Sequence, residues 1–337
     1  MAVTIKDVAE KAGVSTSTVS RVINGSDAIS NKTSEKIFKV MEELDYHPNS
    51  IARNFASGKT NIIAVVINSD DERTFSNTFF NRSLYAIETV VQDNDYNLMI
   101  VNDKLDGKYT SVEKLVLEHK VDGIILPSTN ASSELIKFLE EKEFPFVILG
   151  EPECHVDETS WVDINNVLGS KMALKHLYSK DYKNVALILE NNETVFAKNR
   201  LYGYKKGLEE HGKEYKEDLV INCSGETENA FKQTKDLLNE SDAPDAIICS
   251  NNEIAYYVLQ AIKEKGLKVP NDIGVITFDN YPFSKYMTPP LSVIDVDTFS
   301  IGEKAARSLL DKISNENSKN EQILISTDLI IRESTNR

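Results

Sequence analysis

The pattern of apolar and polar positions changes character near residue 60 of this 337-residue chain. Before that point apolar residues recur at helical separations. Val14, Val19, Val22 and Ile23 fall towards one face of a short helix. Ile37, Val40, Met41 and Leu44 stripe another, over roughly 31–45. After that point the apolar residues come as continuous runs of strand length: IIAVVI (62–67), NLMIVN (97–102), DGIILP (122–127) and PFVILG (145–150). Helical patterns around 80–93, 109–119 and 132–142 separate them. A second set follows, NVALILE (184–190), DLVIN (218–222), DAIICS (245–250) and IGVITF (273–278), again with helices between. Continuous apolar strands joined by helices specify parallel sheets covered on both faces. Two such sets predict two doubly wound lobes that bind a ligand at the carboxyl ends of their strands.

The pattern sets domain limits. Residues 1–47 form an all-α headpiece, 48–60 a hinge and 61–337 an α/β body. The body is expected to divide into an N-lobe of about 61–162 and 292–321 and a C-lobe of about 163–291 and 322–337. LSVIDVD (291–297), a helix over 298–314 and strands within 322–332 provide the return crossings.

In the headpiece, IKDVAEKAG is a short helix with Thr4 and Asp7 in capping-box spacing and Gly13 turning the corner. Ser15 is placed to cap the next helix, leaving Thr16, Ser17, Thr18, Ser20 and Arg21 on its outer side. Helix, tight turn and a hydrogen-bonding second helix make a helix-turn-helix, whose second helix reads the DNA major groove. Pro48 stops the third helix. Beyond it, Ile51 and Phe55 share a face in NSIARNFASGKT, with Gly58 as a stop. So short a helix does not hold in water unaided. The segment is either a linker turn or a hinge that folds when DNA arrives.

Charge sharpens this division. The chain carries a formal net charge of −15. Residues 1–60 hold eight Lys and Arg against seven carboxylates, leaving thirty basic against forty-six acidic residues in the remainder. An acidic body repels DNA, so only the headpiece can approach it, with modest, salt-sensitive nonspecific affinity. Cys154, Cys223 and Cys249 have no metal-ligand spacing and read as reduced thiols, Cys249 in a buried strand. No apolar run is long enough to span a bilayer, and the first residues read as amphipathic helix rather than signal peptide. A cytoplasmic location is expected. No nucleophile–base pair, phosphate loop or metal spacing supports an enzyme, and His155, His176 and His211 are scattered.

The stretches TIKDVAEKAGVSTSTVSRVIN and ISNKTSEKIFKVMEELDYHPNSIARNFASGKT, followed by NRLYGYKKGL, ICSNNEIAYYVL, VPNDIGVITFDN and TPPLSVIDVD, resemble the lactose/galactose repressor family of bacterial transcription regulators along nearly the whole chain. The resemblance implies a periplasmic-binding-protein-like body, a homodimer and a near-palindromic operator. It implies that Thr16 and Ser17 contact base edges, that Arg21 reaches a guanine or a phosphate, and that Ser15, Thr18 and Asn24 bind phosphates. Thr4, Asn49, Ile51 and Ala52 join the DNA-facing set. Phe55 stands where most relatives carry the leucine that wedges into the minor groove.

In the body, the resemblance places Arg200, Asp279 and Asn251 on effector hydroxyls, with Asn252 departing from a common aspartate. Phe80, from RTFSNTFFN, is the expected aromatic stacking partner, and Ser128 ends the third strand with a hydroxyl. Trp161 lines either the cleft or the core. RTFSNTFF, WVDINN and VFAKNRLYGYKKGL are similar to the maltose/maltodextrin-responsive subgroup. Other oligosaccharides, a nucleobase or a phosphocarrier protein as corepressor are the remaining effector classes. A sugar-binding transport protein is the alternative of a different kind, which the headpiece argues against. No cofactor or metal is expected.

Overall fold

A computed structural model of the chain describes residues 3–23, 26, 28–47, 59–67, 78–106, 108–315 and 317–337. Backbone contacts divide it into two units, Met1–Asn61 and Ile62–Arg337.

The first unit is a three-helix bundle: α1 (Ile5–Ala12), α2 (Thr16–Ile23) and α3 (Asn31–Glu43). The capping box forms, with the Thr4 backbone N–H donating to Asp7 Oδ2 at 2.8 Å. Gly13 closes α1 at φ 68°, a left-handed conformation that favours glycine. The Thr18 N–H donates to Ser15 Oγ at 3.1 Å, so Ser15 caps α2 as its position predicts. Val8, Ala12, Val19, Val22, Ile37 and Val40 meet in one small core.

The second unit runs β1 (Ile62–Ile67), α4 (Thr78–Asp93), β2 (Asn97–Asn102), the small hairpin β3 (Leu105–Asp106) and β4 (Tyr109–Thr110), α5 (Ser111–Leu117), β5 (Gly123–Pro127), α6 (Ser133–Glu141), β6 (Phe146–Leu149) and β7 (Trp161–Ile164). It continues through α7 (Asn166–Ser179), β8 (Val185–Leu189), α8 (Val195–Glu210), β9 (Val220–Asn222), α9 (Asn229–Leu237), β10 (Ala246–Cys249) and α10 (Asn252–Glu264). Last come β11 (Gly274–Phe278), β12 (Ser292–Val296), α11 (Thr298–Ser314), β13 (Gln322–Ile325) and β14 (Thr327–Ile330).

Two six-stranded sheets result, ordered β13-β7-β6-β5-β1-β2 and β14-β12-β11-β10-β8-β9. Alternate residues of each strand enter opposite cores. Ile63 and Val65 pack with α4 and α11 residues, while Ala64 and Val66 pack with α5 and α6 residues. The second sheet is divided the same way, Leu187 on one face and Ile188 on the other. This two-sided burial is why the strands read as unbroken apolar runs.

The lobe limits differ from those the sequence pattern suggests. β12 pairs with β11 and antiparallel with β14, so 292–296 belongs to the second lobe's sheet, and α11 returns to the first lobe. β13 pairs with β7, which puts 322–325 in the first lobe, and β7 carries that lobe to Ile164 rather than to 162. An apolar strand has the same pattern in either sheet, and its partner is chosen by tertiary packing. The second sheet also ends in an antiparallel strand, β14, where parallel pairing was expected. The chain crosses between lobes three times, at Asn165, Asp297 and Ser326. Two of these residues cap the helix that follows: Asn165 Oδ1 accepts from the Leu168 N–H at 2.9 Å, and Asp297 Oδ1 from the Ser300 N–H at 3.1 Å. None of the described helices is long and apolar enough to cross a membrane.

Candidate functional site

Arg200, on the second turn of α8, lies at the centre of a buried polar cluster at the carboxyl ends of the strands. Its Nε donates to Asn166 Oδ1 at 2.9 Å and its Nη1 to the Ser250 carbonyl at 2.5 Å. Its Nη2 stands 3.9 Å from Asp279 Oδ1, an ion pair beyond hydrogen-bond distance. The guanidinium carbon lies 4.0 Å from the centroid of the Phe278 ring. Helix α8 is held this close to α7 by Gly203, where a Cβ would lie 2.4 Å from the Val167 carbonyl oxygen. The Arg200–Asn166 bond therefore depends on a position that admits no side chain.

Asn252 fixes the other wall. Its amide nitrogen donates to the carbonyls of Phe278 (3.1 Å) and Asp279 (2.7 Å), which sets the amide's orientation. Asn252 Oδ1 and Asp279 Oδ1 are both buried without a hydrogen-bond partner among the described residues. Native proteins rarely leave such acceptors unmatched, so both await a donor. Burial pushes the Asp279 carboxyl up, opposed by Arg200. Burial likewise lowers the Arg200 pKa, opposed by Asp279 and Asp163. Arg200 remains a cation throughout the physiological range.

Asp163, 6% exposed on β7, faces this cluster from the first lobe. It accepts from the backbone N–H of Glu151 (3.1 Å) and of Ile164 (2.7 Å), and its Oδ2 lies 3.5 Å from the Asn166 amide nitrogen. Burial pushes its carboxyl up to about 6, against the pull of those N–H groups and of Arg200. Asn199 and Lys198 of α8 reach Glu151 and Glu153, which follow β6, at 2.7 and 3.0 Å. These bonds tie the lobes across the cleft.

The other effector candidates scatter. Ser128 is half-buried at the end of β5 and lines a cleft of about 450 Å³ whose walls include Thr129, Ser132 and Glu153 of the first lobe and Thr194 and Phe196 of the second. Asn251 is committed elsewhere, its Oδ1 capping α10 through the Ile254 N–H and its Nδ2 donating to Glu190 Oε2 at 2.6 Å. Phe80 packs partly buried against the first-lobe core at the start of α4. Trp161 is a core residue, 5% exposed with its indole N–H on the Val156 carbonyl at 2.9 Å, and leaves the candidate site. A larger cavity of about 640 Å³, lined by Tyr256, Phe283 and Tyr286, lies on the second lobe away from this chemistry. Glu140, His155 and Glu158 bring ligand-type atoms within 4.8 Å of one another, but the carboxylates are exposed. The His155 ring nitrogens there bond Glu158 (2.6 Å) and Ser133 (3.1 Å).

In the headpiece unit, Ser15, Thr16, Ser17 and Arg21 are exposed along α2, with Thr18 half-buried beside them. Ser15 Oγ lies 2.8 Å from the hydroxyls of both Ser17 and Thr18. Thr4 is exposed and bound to Asp7. Asn24, Asn49, Ile51, Ala52 and Phe55 lie outside the described residues, as does the proposed hinge helix.

Comparison with known proteins decides what these two units amount to. The family described as bacterial regulatory proteins, lacI family, matches residues 4–49, and a periplasmic binding protein-like domain matches residues 174–335. The HTH-type transcriptional regulator DegA of Bacillus subtilis (strain 168) is 33% identical over 99% of this chain and 98% of its own. The chain belongs to the lacI family of bacterial regulators. A lac repressor dimer solved on its operator with the anti-inducer ONPF shares the fold across 99% of both chains, with a TM-score of 0.82 and 26% identity. A complex of the transcriptional regulator CelR with cellobiose covers 98% of this chain and 99% of that one, at TM-score 0.74 and 27% identity. The lacI-family architecture, a helix-turn-helix headpiece on a two-lobed α/β body, is thus the fold of this chain.

For this lacI-family chain, sequence reasoning missed Asp163, Asn166 and Glu190. Each had a readable signal. Glu190 directly follows the apolar run of β8, and Asn166 lies two residues beyond β7, at the strand ends where a ligand is expected. Asp163 interrupts β7 between Val162 and Ile164, where a carboxylate has no place in a two-sided apolar strand.

Proposed function

We propose that the protein is a homodimeric repressor of carbohydrate-utilisation genes, released from a near-palindromic operator by a sugar bound between its lobes. The observation that carries the effector reading is the pair of buried, unmatched acceptors, Asp279 Oδ1 and Asn252 Oδ1, beside the Arg200 guanidinium. Sugar hydroxyls donate as well as accept, and such a group satisfies both. Maltose or a related oligosaccharide is the effector we infer, from the RTFSNTFF, WVDINN and VFAKNRLYGYKKGL motifs. The similarity to a regulator solved with cellobiose supports a disaccharide-sized ligand. Thr16, Ser17 and Arg21 read the operator while Ser15 and Thr18 hold phosphates. Similarity to a repressor solved as a dimer supports two headpieces on two half-sites.

The sugar acts only through its different affinities for the operator-competent and released states. Operator must therefore weaken sugar binding by the factor by which sugar weakens operator binding. Titrating maltose and cellobiose against free and operator-bound protein tests this. The expected result is one sugar whose two factors agree. A sugar that binds equally well in both titrations would leave the protein a sugar binder without a switch.

A further inference from the structure

We propose that the cleft selects an uncharged, hydroxyl-donating effector and excludes the phosphorylated or acidic form of the same sugar. This rests on the sugar reading above and adds a charge class to it.

Carboxylates face Arg200, the one Lys or Arg buried among the described residues, from several elements. Asp279 follows β11, Asp163 lies on β7 and Glu190 follows β8, and all three act electrostatically on Arg200. Glu151, following β6, acts on Asp163. Tyr281 also faces the cluster, and it ionises less readily there because burial, Asp279 and Glu190 all oppose its anion. Of the cations further out, Lys198 is half-exposed and paired with Glu153, and Arg332 is engaged by Asn280, Ser284 and the Leu291 carbonyl. A second anion entering this space meets carboxylates first, and removal from water strengthens that repulsion.

The donor inventory points the same way. An anion is best held by an open guanidinium fork. Here Nε is engaged by Asn166 and one Nη1 hydrogen by Ser250, a ring face covers the plane, and Nη2 stands 3.9 Å from the Asp279 carboxylate, so an anion reaching the remaining N–H groups comes up beside that carboxylate. Three helix N-termini reach the region and would otherwise favour negative charge. All three are already capped, α7 by Asn165, α8 by Thr194 and α10 by Asn251. The fully buried side-chain atoms of this cluster without a hydrogen-bond partner among the described residues are both acceptors, Asp279 Oδ1 and Asn252 Oδ1. The Asn252 amide cannot flip to offer its nitrogen without losing two carbonyl partners.

The test uses full-length protein and calorimetric titration at pH 7.5 with matched pairs: maltose against maltose 6′-phosphate, and cellobiose against cellobiose 6′-phosphate. We expect the neutral member of one pair to bind and its phosphate to bind at least about 100-fold more weakly. Glu190→Gln and, as a second variant, Asp163→Asn should each narrow that ratio, which exclusion by bulk alone would not do. A phosphate that binds as well as its parent sugar would overturn the proposal and leave the sugar reading standing. A ratio unchanged in both folded variants would also overturn it. Tighter binding of the cationic chitosan disaccharide than of either neutral sugar would overturn it too. If no sugar of any charge binds, the sugar reading itself falls, and the proposal with it.

Discussion

The recognition helix and the effector cleft hold their polar groups in opposite ways. On α2 the hydroxyls are at the surface and bond one another, Ser15 to Ser17 and Thr18. In the cleft the polar groups are buried and fixed by packing, and two acceptors have no donor. Solvated hydroxyls can turn towards a base edge or a phosphate at little cost, so the headpiece can sample many DNA sites before it settles on one. The cleft has no such latitude. Leaving a buried acceptor unmatched is expensive, and only a ligand with donors in the right places removes that cost. On the proposed reading, affinity on DNA is expected to be graded, whereas affinity for the effector is expected to be closer to all-or-none.

The bluntest way to break this contrast is to remove one side. A chain lacking residues 1–61 should lose operator binding altogether in a mobility-shift assay while keeping its sugar affinity. Residual operator binding at physiological salt would place DNA recognition in the body and dissolve the distinction.

A smaller effect should appear in stability. Burial raises the Asp163 carboxyl from 3.8 to about 6, so between those values the native protein holds a proton that the unfolded chain has released. Stability contributed below that window is then lost as pH rises through it, by roughly 3 kcal/mol in total. Asp163→Asn should flatten that stretch of the curve. Urea unfolding at intervals from pH 4 to 6.5 reads the slope, and equal slopes in both proteins would mean that Asp163 is well solvated.

Arg200→Ala should weaken sugar binding by roughly 1–3 kcal/mol, because Asn166 Oδ1 loses its donor and Asp279 its counter-charge. Operator affinity without sugar should stay at the wild-type level. Weaker operator binding in the absence of sugar would show the cluster to be part of the fold's framework rather than of the switch.

The mildest change belongs to the surface. Ser17→Ala should cost operator affinity about 1 kcal/mol, with an unchanged slope of log affinity against log salt, since a base contact releases no counterion. A shallower slope would reassign Ser17 to a phosphate.

Much of this arrangement was legible in the residues. Periodicity located α11 over 298–314 and β1 over 62–67, because a long amphipathic stripe or an unbroken apolar run admits few readings. The Thr4–Asp7 box and the Ser15 cap were equally local. Pairing was not local. LSVIDVD reads as a strand in whichever sheet it joins, and only contact with β11 and β14 puts it in the second lobe. Trp161 could not be told from a cleft residue, since an indole beside polar neighbours fits both places until Val156 claims its N–H. Arg200 and Asp279 were found through motifs. Asp163 and Asn166 left a local signal, a carboxylate inside β7 and an amide just past it, but their place beside Arg200 follows only once β7 and α7 meet α8.

The three crossings between the lobes bear on how such a protein can be inherited. Each lobe is assembled from separated stretches of the gene, so no single exchange of DNA segments transplants a lobe intact. A single exchange near residue 61, by contrast, transplants a whole headpiece. New combinations of operator and effector can thus arise in one recombination event, while a new effector must be reached by point substitutions in a cleft whose two walls are rarely inherited apart.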